Sequence, residues 1–164
     1  MFNVVLVEPE IPPNTGNIGR LCLATGSRLH LVEPLGFAID DRQLQRAGLD
    51  YWKEVDLQIW PSFAELRAAQ ITDTRFFFLT TKTKRLYYTE AYRAGDFLVF
   101  GRETKGLPEP LLQANAERLV TISMQGTRSL NLATAVAIVL FEATRQIATQ
   151  DVGRAPATSL RPRG

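Results

Sequence analysis

The chain has 164 residues, 45% hydrophobic and 22% charged, the balance of one soluble globular domain large enough to bury a core without disulfides or metal. A lone cysteine, Cys22, excludes an internal disulfide, and with the lone histidine, His30, it also excludes an intrachain Cys/His zinc site, which takes about four ligands. The net charge of +2 sits in the tail: from Asp151 onward there are three arginines (Arg154, Arg161, Arg163) and one acid. Residues 1–150 therefore balance to zero, and a nucleic acid must be held by local basic patches.

In chain order, Phe2–Val7 reads as a first strand, without the basic region and cleavage site of a signal peptide. A helix over 17–26 and a strand over 28–32 follow. His30 falls inside that strand, where a packed imidazole is expected. A helix at 40–47, a strand at 55–59 and a helix at 61–69 come next, then strands at 75–80 and 96–100. Phe76-Phe77-Phe78-Leu79 and Phe97-Leu98-Val99-Phe100 are continuous apolar runs, the mark of strands buried on both faces of a parallel sheet. A helix at 108–115, a strand at 118–122 and a helix at 131–149 complete the pattern, and residues 151–164 read as a flexible basic tail. The alternation predicts an open, mostly parallel α/β sheet with helices on both faces. No apolar run reads as long enough to span a bilayer, and a cytoplasmic setting is expected. The last helix is apolar almost all round from Leu132 to Phe141, so it packs on the sheet and on something else: its own chain, or the partner of a homodimer.

Ligands of open α/β sheets bind beyond the carboxyl ends of strands, so the loops after strands come first. The loop after 2–7 runs Glu8-Pro9-Glu10-Ile11-Pro12-Pro13-Asn14-Thr15-Gly16-Asn17-Ile18-Gly19-Arg20. Asn14 or Thr15 could cap a helix whose free N–H groups suit phosphate, with Arg20 near its first turn. The loop after 96–100 is Gly101-Arg102-Glu103-Thr104-Lys105-Gly106-Leu107-Pro108. Its glycines stand five apart, which is neither Walker nor G-x-G-x-x-G spacing. The loop after 118–122 is Ser123-Met124-Gln125-Gly126-Thr127-Arg128-Ser129-Leu130-Asn131, with Ser129 or Asn131 as a plausible cap. Singly, each loop is explained as well by turn and cap chemistry as by a site.

In order, N-T-G-N-I-G-R, F-G-R-E-T-K-G-L and I-S-M…R-S-L-N-L-A-T-A-V resemble the signature of the SPOUT superfamily of knotted RNA methyltransferases. The resemblance covers nearly all of 1–150 as one domain. It extends to V-E-P-E-I-P-P-N-T-G-N at the start, to G-F-A-I-D-D-R-Q-L-Q-R-A-G-L-D-Y-W at 36–52 and to F-L-T-T-K at 78–82. The chain looks most similar to the branch that 2′-O-methylates the wobble cytidine or uridine of leucine tRNAs.

The resemblance implies a C-terminal trefoil knot, a homodimer, a tRNA partner and S-adenosyl-L-methionine as methyl donor. Matching cofactor positions are Leu79, Thr80, Gly101, Glu103, Gly106, Leu107, Ile122, Ser129 and Leu130. Arg20, Asn14, Ser129 and Asn131 match the catalytic positions, and Arg20, Lys82, Arg102, Lys105 and Arg128 are the candidates for RNA. A sulfonium is already a strong electrophile, so no metal is expected; the protein aligns oxygen, carbon and sulfur and helps remove a proton. The family role of the arginine as base sits poorly with a guanidinium pKa above about 12, and holding phosphate while stabilising developing alkoxide suits it better. Arg102 departs from the Gly-Pro-Glu or Gly-Ser-Glu usual in the second motif and adds charge beside the cofactor loop. Two other readings stay open: the same chemistry on another tRNA position or on ribosomal RNA, and a non-catalytic cofactor- or RNA-binding module.

Overall fold

The apolar runs become strands because β-branched and aromatic side chains suit a pleated surface covered on both sides. The computed structural model describes residues 1–40, 42, 44, 46 and 49–152. Strands β1 (Asn3–Val7), β2 (Arg28–Val32), β3 (Leu57–Trp60), β4 (Phe76–Leu79), β5 (Phe97–Phe100) and β6 (Leu119–Val120) form one sheet in the order β3-β2-β1-β5-β4-β6. Every pairing is parallel.

Side chains alternate between two cores. Val4, Leu6, Phe77, Leu98 and Phe100 face helices α1 (Pro12–Thr25) and α4 (Leu132–Val152), which contribute Ile18, Cys22, Val136 and Leu140. Val5, Val7, Phe76, Phe78, Phe97 and Val99 face α2 (Phe63–Ala68) and α3 (Glu109–Gln113), which contribute Leu66 and Leu112. Each such fully buried side chain contributes roughly 1.5–3 kcal/mol, so both faces are strongly committed. Burial pushes the Cys22 thiol up to about 12, leaving it an inert core residue.

His30 is packed, as its strand position predicted. It is 1% exposed, Trp60 donates its indole N–H to Nδ1 at 3.0 Å, and Nε2 lies 3.0 Å from Asn3 Oδ1. The indole can only donate, so the ring is the neutral tautomer with its proton on Nε2. Desolvation, with Arg28 nearby, lowers its pKa to about 4.

Several expected boundaries move. The first helix starts at Pro12, not 17, and Ile11 is its N-cap without any side-chain cap bond. Pro12 and Pro13 start it because the first turn needs no N–H and their φ is already helical. It ends at Gly26, whose φ of +63° permits the closing bonds Gly26 N–H to Leu23 O and Ser27 N–H to Cys22 O. The third strand begins at Leu57, not 55, because Val55 is still tied to the 3-10 turn Leu49–Glu54, its N–H donating to Trp52 O at 3.3 Å. Ser62 caps α2 through the Glu65 N–H, so that helix spans fewer residues than 61–69. The expected strand 118–122 shrinks to Leu119–Val120, and the expected helix 108–115 to Glu109–Gln113 with Pro108 as its N-cap. The helix expected at 40–47 lies largely outside the described residues, as does the tail beyond Val152. By length and composition α4 is apolar enough over Leu132–Thr149 to cross a membrane, contrary to the sequence reading; it packs on α1 and β5.

Candidate active site

The sheet changes winding direction between β1 and β5, which lie side by side while their onward connections lead to opposite edges. Such a switch point is where open α/β sheets usually open a crevice for ligands. Here the chain fills it. Glu103, after β5, accepts hydrogen bonds from the Glu10 N–H at 2.8 Å and the Ile11 N–H at 3.0 Å. Its carboxylate therefore takes the position at the start of α1 where a phosphate was expected, satisfying donors that the helix cannot satisfy itself. In return Glu10 accepts from the Thr104 N–H at 3.2 Å and the Thr104 hydroxyl at 2.9 Å. Glu8 holds a left-handed φ of 53°, costing on the order of 1–3 kcal/mol for a residue with a Cβ. Its N–H donates to Val32 O at 2.8 Å and its carboxylate pairs with Arg102 at 2.8 Å.

The second loop closes on itself. Arg102 N–H donates to Gly106 O at 3.2 Å, and Gly106 N–H to Arg102 O at 2.9 Å. The five-residue glycine spacing follows from two needs. A Cβ on Gly101 would lie 2.1 Å from the Gly106 carbonyl carbon, and Gly106 has a φ of +66°.

A cavity of about 340 Å³ opens one strand over, at the carboxyl ends of β4, β5 and β6. All nine expected cofactor positions line it: Leu79, Thr80, Gly101, Glu103, Gly106, Leu107, Ile122, Ser129 and Leu130. Lys82, Arg102, Lys105 and Arg128 line it too, which concentrates positive charge on a body whose net charge is zero over 1–150. Arg102 is committed to Glu8, and Lys82 pairs with Glu109 across the surface. Leu79, Leu107, Ile122 and Leu130 give apolar walls beside the polar rim, the mixture typical of small-molecule sites.

Asn14 and Asn131 stand behind this cavity rather than in it. Asn131 Nδ2 donates to Asn14 Oδ1 at 2.9 Å, and Asn14 Nδ2 to Glu103 Oε1 at 3.4 Å. One string of side chains thus ties all three loops. Asn131 is also the cap of α4, accepting from the Ala133 N–H at 2.9 Å and the Thr134 N–H at 3.3 Å, while Asn14 caps nothing. Ser129 is exposed on the rim. Arg20 is not brought to the cavity of its own chain: with α1 starting at Pro12, it falls in the third turn and is exposed.

Sequence reasoning missed Glu8, Glu10 and Thr104, whose partners lie about ninety positions away and leave no spacing signal. It also missed Thr121 and Met124 on the wall, though Met124 belongs to a loop already singled out.

The SpoU rRNA Methylase family matches residues 1–141. A tRNA (cytidine(34)-2'-O)-methyltransferase of Burkholderia pseudomallei is 50% identical over 149 residues, 89% of this chain and 96% of its own. A solved structure bearing on 2-OH methylation of C/U34 on tRNA superposes with a TM-score of 0.87 at 43% identity, covering 91% of this chain and 97% of its own. An AdoMet-bound rRNA methyltransferase from Sinorhizobium meliloti superposes at 0.79 with 27% identity, over 89% of this chain and 56% of its own. With the parallel sheet, the braced loops and the cavity at β4–β6 in place, the match over 1–141 settles the affiliation: this chain belongs to the SpoU methylase family.

Proposed function

We propose that this protein transfers the methyl group of S-adenosyl-L-methionine to the ribose 2′-hydroxyl of wobble nucleotide 34, a cytidine or modified uridine, in leucine tRNAs. The observation that carries this reading is the single cavity onto which all nine positions of the family's cofactor set converge. Its volume of about 340 Å³ falls in the roughly 300–1,000 Å³ range of small-molecule pockets. The half-identical relative that acts on cytidine 34 supports the position on the tRNA.

The residues present fit the cofactor. Leu79, Ile122 and Leu130 offer flat apolar contact for an adenine ring, and the backbone around Gly101, Gly106 and Leu107 offers donors and acceptors for its edge. When bound, the cofactor supplies an electrophilic methyl group on a positively charged sulfur. Glu103 contributes indirectly, by locking the second loop to the start of α1. Ser129 on the rim accepts or donates a hydrogen bond at the attacking hydroxyl. Asn14 and Asn131 keep the first and third loops in register with the second. Arg20 holds RNA phosphate and stabilises negative charge developing on the 2′-oxygen; it stays protonated, and as the O–CH3 bond forms and the S–CH3 bond breaks the hydroxyl proton passes to solvent water. Lys82, Lys105 and Arg128 meet the tRNA backbone, and Arg102 adds to their field.

Arg20 reaches a cavity only if a second copy supplies it, so the reading includes a homodimer. Phe141, 49% exposed on α4 beside the half-buried Ala137 and Ile138, supplies an apolar face for such a partner. It also includes a trefoil knot closing residues 1–150 as one domain around the cavity, and a cytoplasmic setting with the tRNA.

The test combines purified protein, radiolabelled methyl donor and total tRNA from a strain lacking the activity, followed by mapping of the labelled ribose. Label at ribose 34 of leucine tRNAs is the expected result. Label at any other position overturns the substrate assignment, and no incorporation would instead favour a non-catalytic binding module.

A further inference from the structure

The Arg20 guanidinium has an aromatic seat. Its Cζ lies 5.7 Å from the centre of the Tyr51 ring, and Tyr51 is 45% exposed. Among the described residues no ion pair holds Arg20, and the helix positions one turn away (Gly16, Asn17, Leu23, Ala24) carry no charge. The seat is built by the neighbouring glycine. A Cβ on Gly19 would lie 2.6 Å from Trp52 Cζ3 and 3.4 Å from Val55 Cγ2, so only glycine lets the 3-10 turn Leu49–Glu54 dock flat on α1. Trp52 and Val55 are anchored on the core shared by α1 and α4. With Trp52 seated on Gly19, the preceding residue is placed over Arg20.

We infer that Tyr51 is a positioning residue for methyl transfer, holding the Arg20 guanidinium by its face while leaving its edge free for the substrate. This rests on the reading of Arg20 as the group that faces the ribose and phosphate. The geometry answers a specific need. A carboxylate partner would orient Arg20 but occupy the N–H fork and cancel its charge. An aromatic face attracts the cation through the ring quadrupole and leaves all five in-plane N–H donors free. Tyr51 thereby lowers the freedom of a long exposed side chain before substrate arrives, which favours the reacting geometry.

Single-turnover methylation with the full chain, tRNA and saturating S-adenosyl-L-methionine tests this, using Tyr51→Leu, Tyr51→Gln, Tyr51→Phe, Arg20→Ala and the Tyr51→Leu/Arg20→Ala double variant. Tyr51→Leu and Tyr51→Gln should each slow methyl transfer ~5-fold, the scale of one exposed cation–π contact plus lost orientation. Cofactor affinity and melting temperature should stay at the unmodified protein's values, and Tyr51→Phe should restore the rate. The double variant should match Arg20→Ala alone. Full speed in Tyr51→Leu with Arg20→Ala inactive overturns the seat and leaves the Arg20 reading intact. Full speed in Arg20→Ala overturns that reading and the seat with it. A further slowing of the double variant below Arg20→Ala shows that the ring acts on something other than Arg20 and overturns the inference. A lowered melting temperature in both Tyr51→Leu and Tyr51→Gln that accounts for their slowing does the same.

Discussion

The carboxyl ends of β1 and β5 are packed with the chain's own charged groups, whereas those of β4, β5 and β6 surround a cavity of about 340 Å³. Both regions share the second loop, and the general rule for open sheets points to the first of them. The difference shows what the switch point is used for here. Glu103, Glu10 and the Glu8–Arg102 pair convert a natural crevice into a brace. Hydrogen bonds to charged groups are worth about 1.5–3 kcal/mol each, so the brace can hold a loop whose far side must stay open. The cavity lies one strand over, and the second loop that forms part of its wall is bonded into the filled crevice.

Breaking the shared element should have the largest effect. Gly101→Ala forces a Cβ to within 2.1 Å of the Gly106 backbone, where nothing flexible can give way. Loss of about 3 kcal/mol or more in urea unfolding is expected, on the scale of overpacking against rigid backbone, together with loss of cofactor binding by calorimetry. Retained binding would mean the loop can open without cost.

Acid separates the sheet from both strand ends. His30 holds its pKa near 4 in the folded state against an ordinary 6.5, so between those values unfolded chains bind a proton that the folded ring refuses. Its stabilising contribution is full above pH 6.5 and is lost as pH falls toward 4, up to about 3 kcal/mol in total. Denaturant midpoints measured at half-unit steps should fall less steeply over that window in His30→Gln than in the unmodified protein. An equal slope would relocate the effect to other groups.

Glu103→Gln tests the brace alone. The Glu10 and Ile11 N–H groups donate to different oxygens of the carboxylate, and in Gln one of these becomes an NH2 that faces a donor, so about 1–2 kcal/mol of stability should go. Activity should fall at the same time, since the loop bearing Gly106 and Leu107 loosens. A variant that loses cofactor affinity at undiminished stability would make Glu103 a direct cofactor ligand instead. The smallest effect belongs to the rim. Lys82→Gln removes an exposed pair with Glu109 and should change stability by less than about 0.5 kcal/mol. Its tRNA affinity should nonetheless fall, with a shallower dependence on salt, measurable by filter binding from low to moderate ionic strength.

Much of this molecule is legible before it folds. The runs Phe76–Leu79 and Phe97–Phe100 announce strands covered on both faces, because they are short and rich in aromatic and β-branched residues, which suit a pleated surface buried on each side. The ordered loop motifs name the cavity wall down to individual residues. Boundaries set by a few local contacts were less legible: Pro12 and Pro13 start α1 five residues before the expected 17, so Asn14 and Thr15 fall inside the helix rather than capping it. What the sequence determined by itself was the alternation of elements, the packed state of His30 and the residues around the cavity, all of which depend on local apolar pattern or on motif order. Only the tertiary structure decided that β5 lies between β1 and β4, that Glu103 occupies the start of α1, that Asn131 bonds Asn14 and that Arg20 sits on Tyr51 away from its own cavity. Those contacts join residues from 31 to 117 positions apart, or turn on which strands become neighbours. The free energy that selects them comes from burying both sheet faces at once, a sum over the whole chain that no single segment contains.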